Sequence, residues 1–117
     1  MICGIDTYHD SAKKDSSVCA FIATMNETKT RFFSRATLQA THQELSNNLT
    51  LVVKSALQHF FKVNGGFPEK IIIYRDGVDD GKLLNVRDYE IPQIQKAFEL
   101  TQADYRFDFN SKLKYIF

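Results

Sequence analysis

The sequence has no tryptophan, two prolines and two cysteines in 117 residues, and its charges nearly cancel: 15 Lys and Arg against 14 Asp and Glu. Each shortage excludes something. A net charge of +1 gives bulk electrostatics no say for nucleic acid or membrane, so contact with a polyanion must rest on local basic patches. Cys3 and Cys19 form neither a CxxC pair nor a zinc spacing and lie in apolar runs, which predicts buried thiols in a reducing compartment rather than a disulfide. His9, His42 and His59 make no zinc pattern. A glycine-rich phosphate loop, a GxSxG elbow and a Cys–His motif are all missing. No stretch approaches the roughly 20 apolar residues of a membrane-spanning helix. Asp6 and His9 interrupt the first segment before a signal peptide could form, so an intracellular, soluble protein is expected.

What remains is the composition of an ordinary globular domain, 44% hydrophobic and 25% charged. The chain is long enough for one domain and a sizeable core. Met1–Asp6 reads as a strand, Ser11–Ser17 as a polar connector, and Val18–Met25 as a second strand. Asn26–Lys29 makes a turn, and Thr30–Leu38 a third strand, suggesting an antiparallel meander. A long helix follows, with Leu45, Leu49, Val52, Val53, Ala56, Phe60 and Val63 on one apolar stripe. Thr41 and Glu44 fit a capping box, and Asn64-Gly65-Gly66 with Pro68 supplies the stop.

Ile71-Ile72-Ile73-Tyr74 reads as a strand covered on both faces, followed by Arg75-Asp76-Gly77-Val78. Residues Asp79–Gly81 are expected to form a polar loop. A second helix is predicted over Ile91–Leu100, with Pro92 in its first turn. The last residues, Leu113–Phe117, look like the start of another strand, as if the chain were truncated. The order β-β-β-α-β-α-β, with a strand returning after a helix, predicts an α/β fold with a mixed sheet.

Asp6 and Asp76 each end a strand. If those strands are parallel neighbours, both carboxylates project from one sheet edge, where they repel each other unless a cation lies between them. Mg²⁺ suits such a pair, bound by one or two carboxylates, waters and phosphate oxygens. Asp76-Gly77 also serves as a plain turn, and Glu44 as a cap that could swing onto a metal. Asp76–Gly81 is not a calcium loop, because Val78 and Arg87 occupy ligand positions. Lys13-Lys14, Arg31 and Arg35 could contact a nucleic-acid backbone or simply be solvated. His9 could touch a phosphate or cap a turn.

Four stretches, taken together, resemble one family. Met1-Ile2-Cys3-Gly4-Ile5-Asp6-Thr7-Tyr8-His9-Asp10 looks like the opening strand of the PIWI domain in the Piwi branch of Argonaute proteins. Thr41-His42-Gln43-Glu44 resembles the segment before that family's long helix. Pro68-Glu69-Lys70-Ile71-Ile72-Ile73-Tyr74-Arg75-Asp76-Gly77-Val78 is similar to its most recognisable stretch, and Asp88–Gln93 continues the match.

The resemblance implies a ribonuclease H-like fold in a protein that uses a small guide RNA to find and cleave target RNA in gene or transposon silencing. Matched motif by motif, Asp6, Glu44 and Asp76 take three of four catalytic positions, Glu44 as the glutamate finger. Asp6 and Asp76 would hold metal, with two Mg²⁺ ions in the complete site. The fourth catalytic residue and the guide-binding pockets fall outside residues 1–117, which would be the first half of a PIWI domain and inactive alone. Residues 102–111 match only loosely. Two other functions fit the same residues: a guide-RNA-binding silencing scaffold that does not cleave, and a ribonuclease H-like nuclease that needs no guide.

Overall fold

In β1 (Ile2–His9) and β2 (Ser17–Thr24), buried side chains alternate with exposed or half-buried ones over residues 2–7 and 18–23, and this period of two decides which face of the sheet is covered. The computed structural model describes residues 1–9, 17–39, 48–76, 83–101 and 113–116. β3 (Phe32–Gln39) completes the antiparallel meander. Helix α1 (Asn48–Asn64) leads to β4 (Ile71–Arg75), and helix α2 (Leu83–Thr101) leads to β5 (Leu113–Ile116). β4 runs parallel to β1, and β5 parallel to β4, so the sheet is mixed with strand order β3-β2-β1-β4-β5.

The core lies on one side of that sheet. Cys3, Ile5, Phe21, Phe33, Ile71 and Ile73 meet Leu49, Val53, Ala56 and Leu57 of α1 and Ile94, Ala97 and Phe98 of α2. Both cysteines are free and buried. Burial pushes the Cys3 thiol up to about 12 and raises that of Cys19.

The polar links are local and legible. Asn26 ties the β2–β3 turn together: its Oδ1 accepts from the amides of Thr30 (3.0 Å) and Arg31 (3.1 Å). Lys29 in this turn adopts a φ of 56°. The stop after α1 is built on Gly65: its amide donates to the Phe61 carbonyl at 2.7 Å, and its φ of 75° then turns the chain out of the helix. Asn64 Nδ2 donates to the Met25 carbonyl at 2.7 Å, fastening the end of α1 to the exit of β2.

Three expectations need correction. β1 does not end at Asp6 but runs on to His9, because residues 6–9 stay paired with residues 17–20 of β2. Among the described residues, β4 is covered on one face only: Tyr74 is 50% exposed and Ile72 half-buried. The apolar run reads as doubly buried, but Ile22, Phe32 and Tyr74 share an open face with small residues. The second helix begins at Leu83 rather than Ile91, so Pro92 sits in its interior. Its buried stripe is Glu90, Ile94, Ala97 and Phe98, and a glutamate in that stripe disguises the helical period. The Ser11–Ser17 connector up to its last residue, which opens β2, the Thr41–Glu44 capping box and the Asp79–Gly81 loop lie outside the described residues.

Candidate active site

β1 and β4 place their carboxylates side by side. Their parallel register pairs Gly4 with Tyr74 and Ile5 with Arg75. The ladder continues one step further, where the Asp76 amide donates to the Ile5 carbonyl at 2.9 Å. Asp6 and Asp76 are therefore at the same level of neighbouring strands, both exposed, on the face opposite the helices. They line one open groove of about 540 Å³, floored by Gly4, Ala20, Ile22, Ala36 and Tyr74. Small residues keep that floor low. A Cβ on Gly4 would meet Ile22 Cγ2 at 3.2 Å, tighter than ordinary contact.

The chemistry of the donors favours a hard cation. Two water-accessible carboxylates offer oxygen ligands only, which suits Mg²⁺ with waters and phosphate oxygens completing its shell. Among the described residues, no group of three or more His, Cys, Asp or Glu could hold a metal. Glu44, the third carboxylate that the resemblance implies, lies outside the described residues.

On the other side of the same strands lies a buried polar network that sequence reasoning did not find. Arg75, 6% exposed, and Glu90, fully buried, form an ion pair: Arg75 Nε donates to Glu90 Oε1 at 2.8 Å and Oε2 at 3.1 Å. Arg75 Nη2 donates to Thr7 Oγ1 at 3.1 Å, and Nη1 donates to the Asp76 carbonyl. The Tyr115 hydroxyl donates to Glu90 Oε2. Burial, and then the Glu90 carboxylate, raise the Tyr115 phenol. One signal could have found this network. Arg75 shares the alternation of Ile71 and Ile73, and a charge on the covered face of a strand demands a buried partner.

The remaining candidates are dispersed. Arg31 and Arg35 are exposed at β3, where the Arg35 guanidinium lies 5.0 Å from the Phe33 ring centroid. His59 is exposed on α1, with its ring 5.8 Å from that of Phe33, as a boundary residue. His9 closes β1, and Lys13-Lys14 lie outside the described residues.

A family profile described as Piwi domain matches residues 1–117. The chain belongs to the Piwi domain family. Piwi-like protein Ago3 of Bombyx mori is 42% identical over 106 residues, covering 91% of this chain and 11% of that protein. Piwi-like protein 1 of Gallus gallus is 42% identical over 105 residues, covering 90% of this chain and 12% of that protein. The chain thus spans little more than a tenth of these Piwi relatives. The crystal structure of Drosophila Piwi superposes with a TM-score of 0.74 at 24% identity, over 97% of this chain and 15% of that one. Kluyveromyces polysporus Argonaute, solved with a guide RNA, gives a TM-score of 0.77 at 23% identity, over 92% and 13%. The fold is that of Argonaute PIWI domains, a ribonuclease H-like mixed sheet.

Proposed function

We propose that residues 1–117 form the first half of the PIWI domain of a longer protein that binds a small guide RNA and cleaves complementary target RNA. The observation that carries this reading is the carboxylate pair: Asp6 and Asp76 leave adjacent parallel strands into one groove. Asp6 and Asp76 would hold Mg²⁺, with Glu44 joining them. Mg²⁺ bound there supplies water activation and charge stabilisation for phosphodiester hydrolysis, two ions being the usual number for that chemistry. The chain's own part is to present the two carboxylates at one level, and to leave the groove low enough for a backbone phosphate to approach. The family match and its Piwi-like relatives support the guide-dependent form of this activity.

The test uses the full-length parent loaded with a guide RNA. Asp76→Ala is expected to abolish target cleavage while guide loading stays at the wild-type level. Undiminished cleavage by that variant overturns the assignment. Guide and target binding with no cleavage by the wild type would instead identify a silencing scaffold.

A further inference from the structure

The carboxylate edge is held from beneath. Asp6 and Thr7 are consecutive in β1, Arg75 and Asp76 are consecutive where β4 ends, and alternation sends each pair to opposite faces. Directly under the two carboxylates, the Arg75 guanidinium therefore joins both strands: Nη2 to Thr7 Oγ1 of β1, Nη1 to the carbonyl of Asp76. Its third nitrogen is occupied by Glu90 of α2, and Glu90 is in turn held by Tyr115 of β5. All three nitrogens of this buried guanidinium are engaged, and two of them tie β1 at Thr7 to the exit of β4 at Asp76. A guanidinium is a rigid planar fork, so its orientation is set by the carboxylate it faces.

We propose that Glu90 and Tyr115 are positioning residues for the metal-binding edge: they orient Arg75, and Arg75 sets the spacing of Asp6 and Asp76. The inference rests on the reading of Asp6 and Asp76 as ligands of a hard cation. Neither Glu90 nor Tyr115 touches the groove, so their effect on the cation passes through Arg75 and the backbone of both strands. Groups hydrogen-bonded directly to metal ligands typically change metal affinity by about 10- to 100-fold when removed, and the longer route through Arg75 points to the low end of that range.

The experiment titrates Mn²⁺ alone into the full-length protein free of RNA, with the unbound ion read from its electron paramagnetic resonance signal. Glu90→Gln is expected to weaken Mn²⁺ binding about tenfold, and Tyr115→Phe to weaken it several-fold, roughly half that effect on a logarithmic scale. The triple variant Arg75→Met/Glu90→Leu/Tyr115→Phe separates positioning from mere stability. It replaces the buried charges with apolar groups of similar volume, a change that often leaves stability intact. It is expected to keep wild-type circular dichroism and guide loading, yet bind Mn²⁺ at least as weakly as Glu90→Gln. Wild-type Mn²⁺ affinity in the folded Tyr115→Phe and triple variants, with binding lost in Asp76→Ala, overturns the positioning role and leaves the metal site standing. Wild-type affinity in Asp76→Ala overturns the metal site, and the positioning role with it.

Discussion

Arg75 and Asp76 are consecutive, yet one is buried on the helix-covered face of the sheet and the other is exposed in the groove on the opposite face. The pair divides two tasks that conflict chemically. A cation next to the carboxylates would compete with a metal for them, whereas the same cation on the far side braces the strand without entering the groove. The division depends on strict alternation, so it requires nothing beyond the placement of one buried charge, and that charge is matched by Glu90.

That match makes Glu90 a sensitive position. Glu90→Ala leaves Arg75 buried without its carboxylate and should destabilise the domain by about 3–5 kcal/mol. Hydrogen exchange of α2 and β4 amides in the full-length parent measures this. A loss within about 0.5 kcal/mol, typical of a surface change, would show the pair to be solvated.

In the absence of divalent ions, Asp6 and Asp76 repel each other across the β1–β4 ladder. Asp6→Asn should therefore stabilise the metal-free domain by up to about 1 kcal/mol at low salt, and less at 1 M salt where screening shortens to about 3 Å. Addition of Mg²⁺ should reverse the ranking, stabilising the wild type and not the variant. Exchange protection measured with and without Mg²⁺ checks both signs.

The buried thiols and the phenol predict an alkaline limit. Cys3 rises from its ordinary 9.0 to about 12, and Cys19 and Tyr115 are raised as well, mainly by burial. Between the unfolded and folded values the folded state binds more protons than the unfolded one, so stability falls as pH rises. For Cys3 the contribution is full below about pH 9 and is lost progressively toward pH 12, at roughly 1.4 kcal/mol per pH unit, while Cys19 and Tyr115 add to the fall in the same direction, Tyr115 only above its ordinary 10. Denaturation followed from pH 7 to 11 measures the slope. Cys3→Ala, lacking the thiol, should flatten it.

Pro92 offers the opposite kind of change. It stands inside α2 with its side chain exposed, bringing no N–H to the helix ladder. Pro92→Ala should gain helix propensity of about 3 kcal/mol, less about 0.4–1 kcal/mol for the freer unfolded chain, a net stabilisation near 2 kcal/mol. Slower exchange of α2 amides checks it. Unchanged or faster exchange would mean that the helix depends on a bend at this point.

Much of this fold is legible in the order of residues alone. Periodicity finds the meander, α1 and its glycine stop, because in those segments apolar residues mark the buried face cleanly. Asp6 and Asp76 are legible as a pair because each follows an apolar run, and the parallel β1–β4 register brings them level. The reading weakens where a polar residue occupies a core position. Glu90 hides the true start of α2, and Arg75 reads as a solvent cation until its partner, 15 residues later, is known. Tyr74 errs the other way: an aromatic after three isoleucines looks buried, and half of it is exposed. Local sequence carries propensity, but which face is covered is a tertiary fact.

β1 is measured from both edges. On one side its register is fixed by antiparallel bonds to β2, with Asp6 opposite Ala20, and on the other by parallel bonds to β4. A slip of one residue would have to break two ladders of unlike geometry at once, and would turn Ile5 into the groove and Asp6 into the core. The central strand thus acts as a vernier whose two scales agree at a single setting. Loops around it can vary in length without moving that mark.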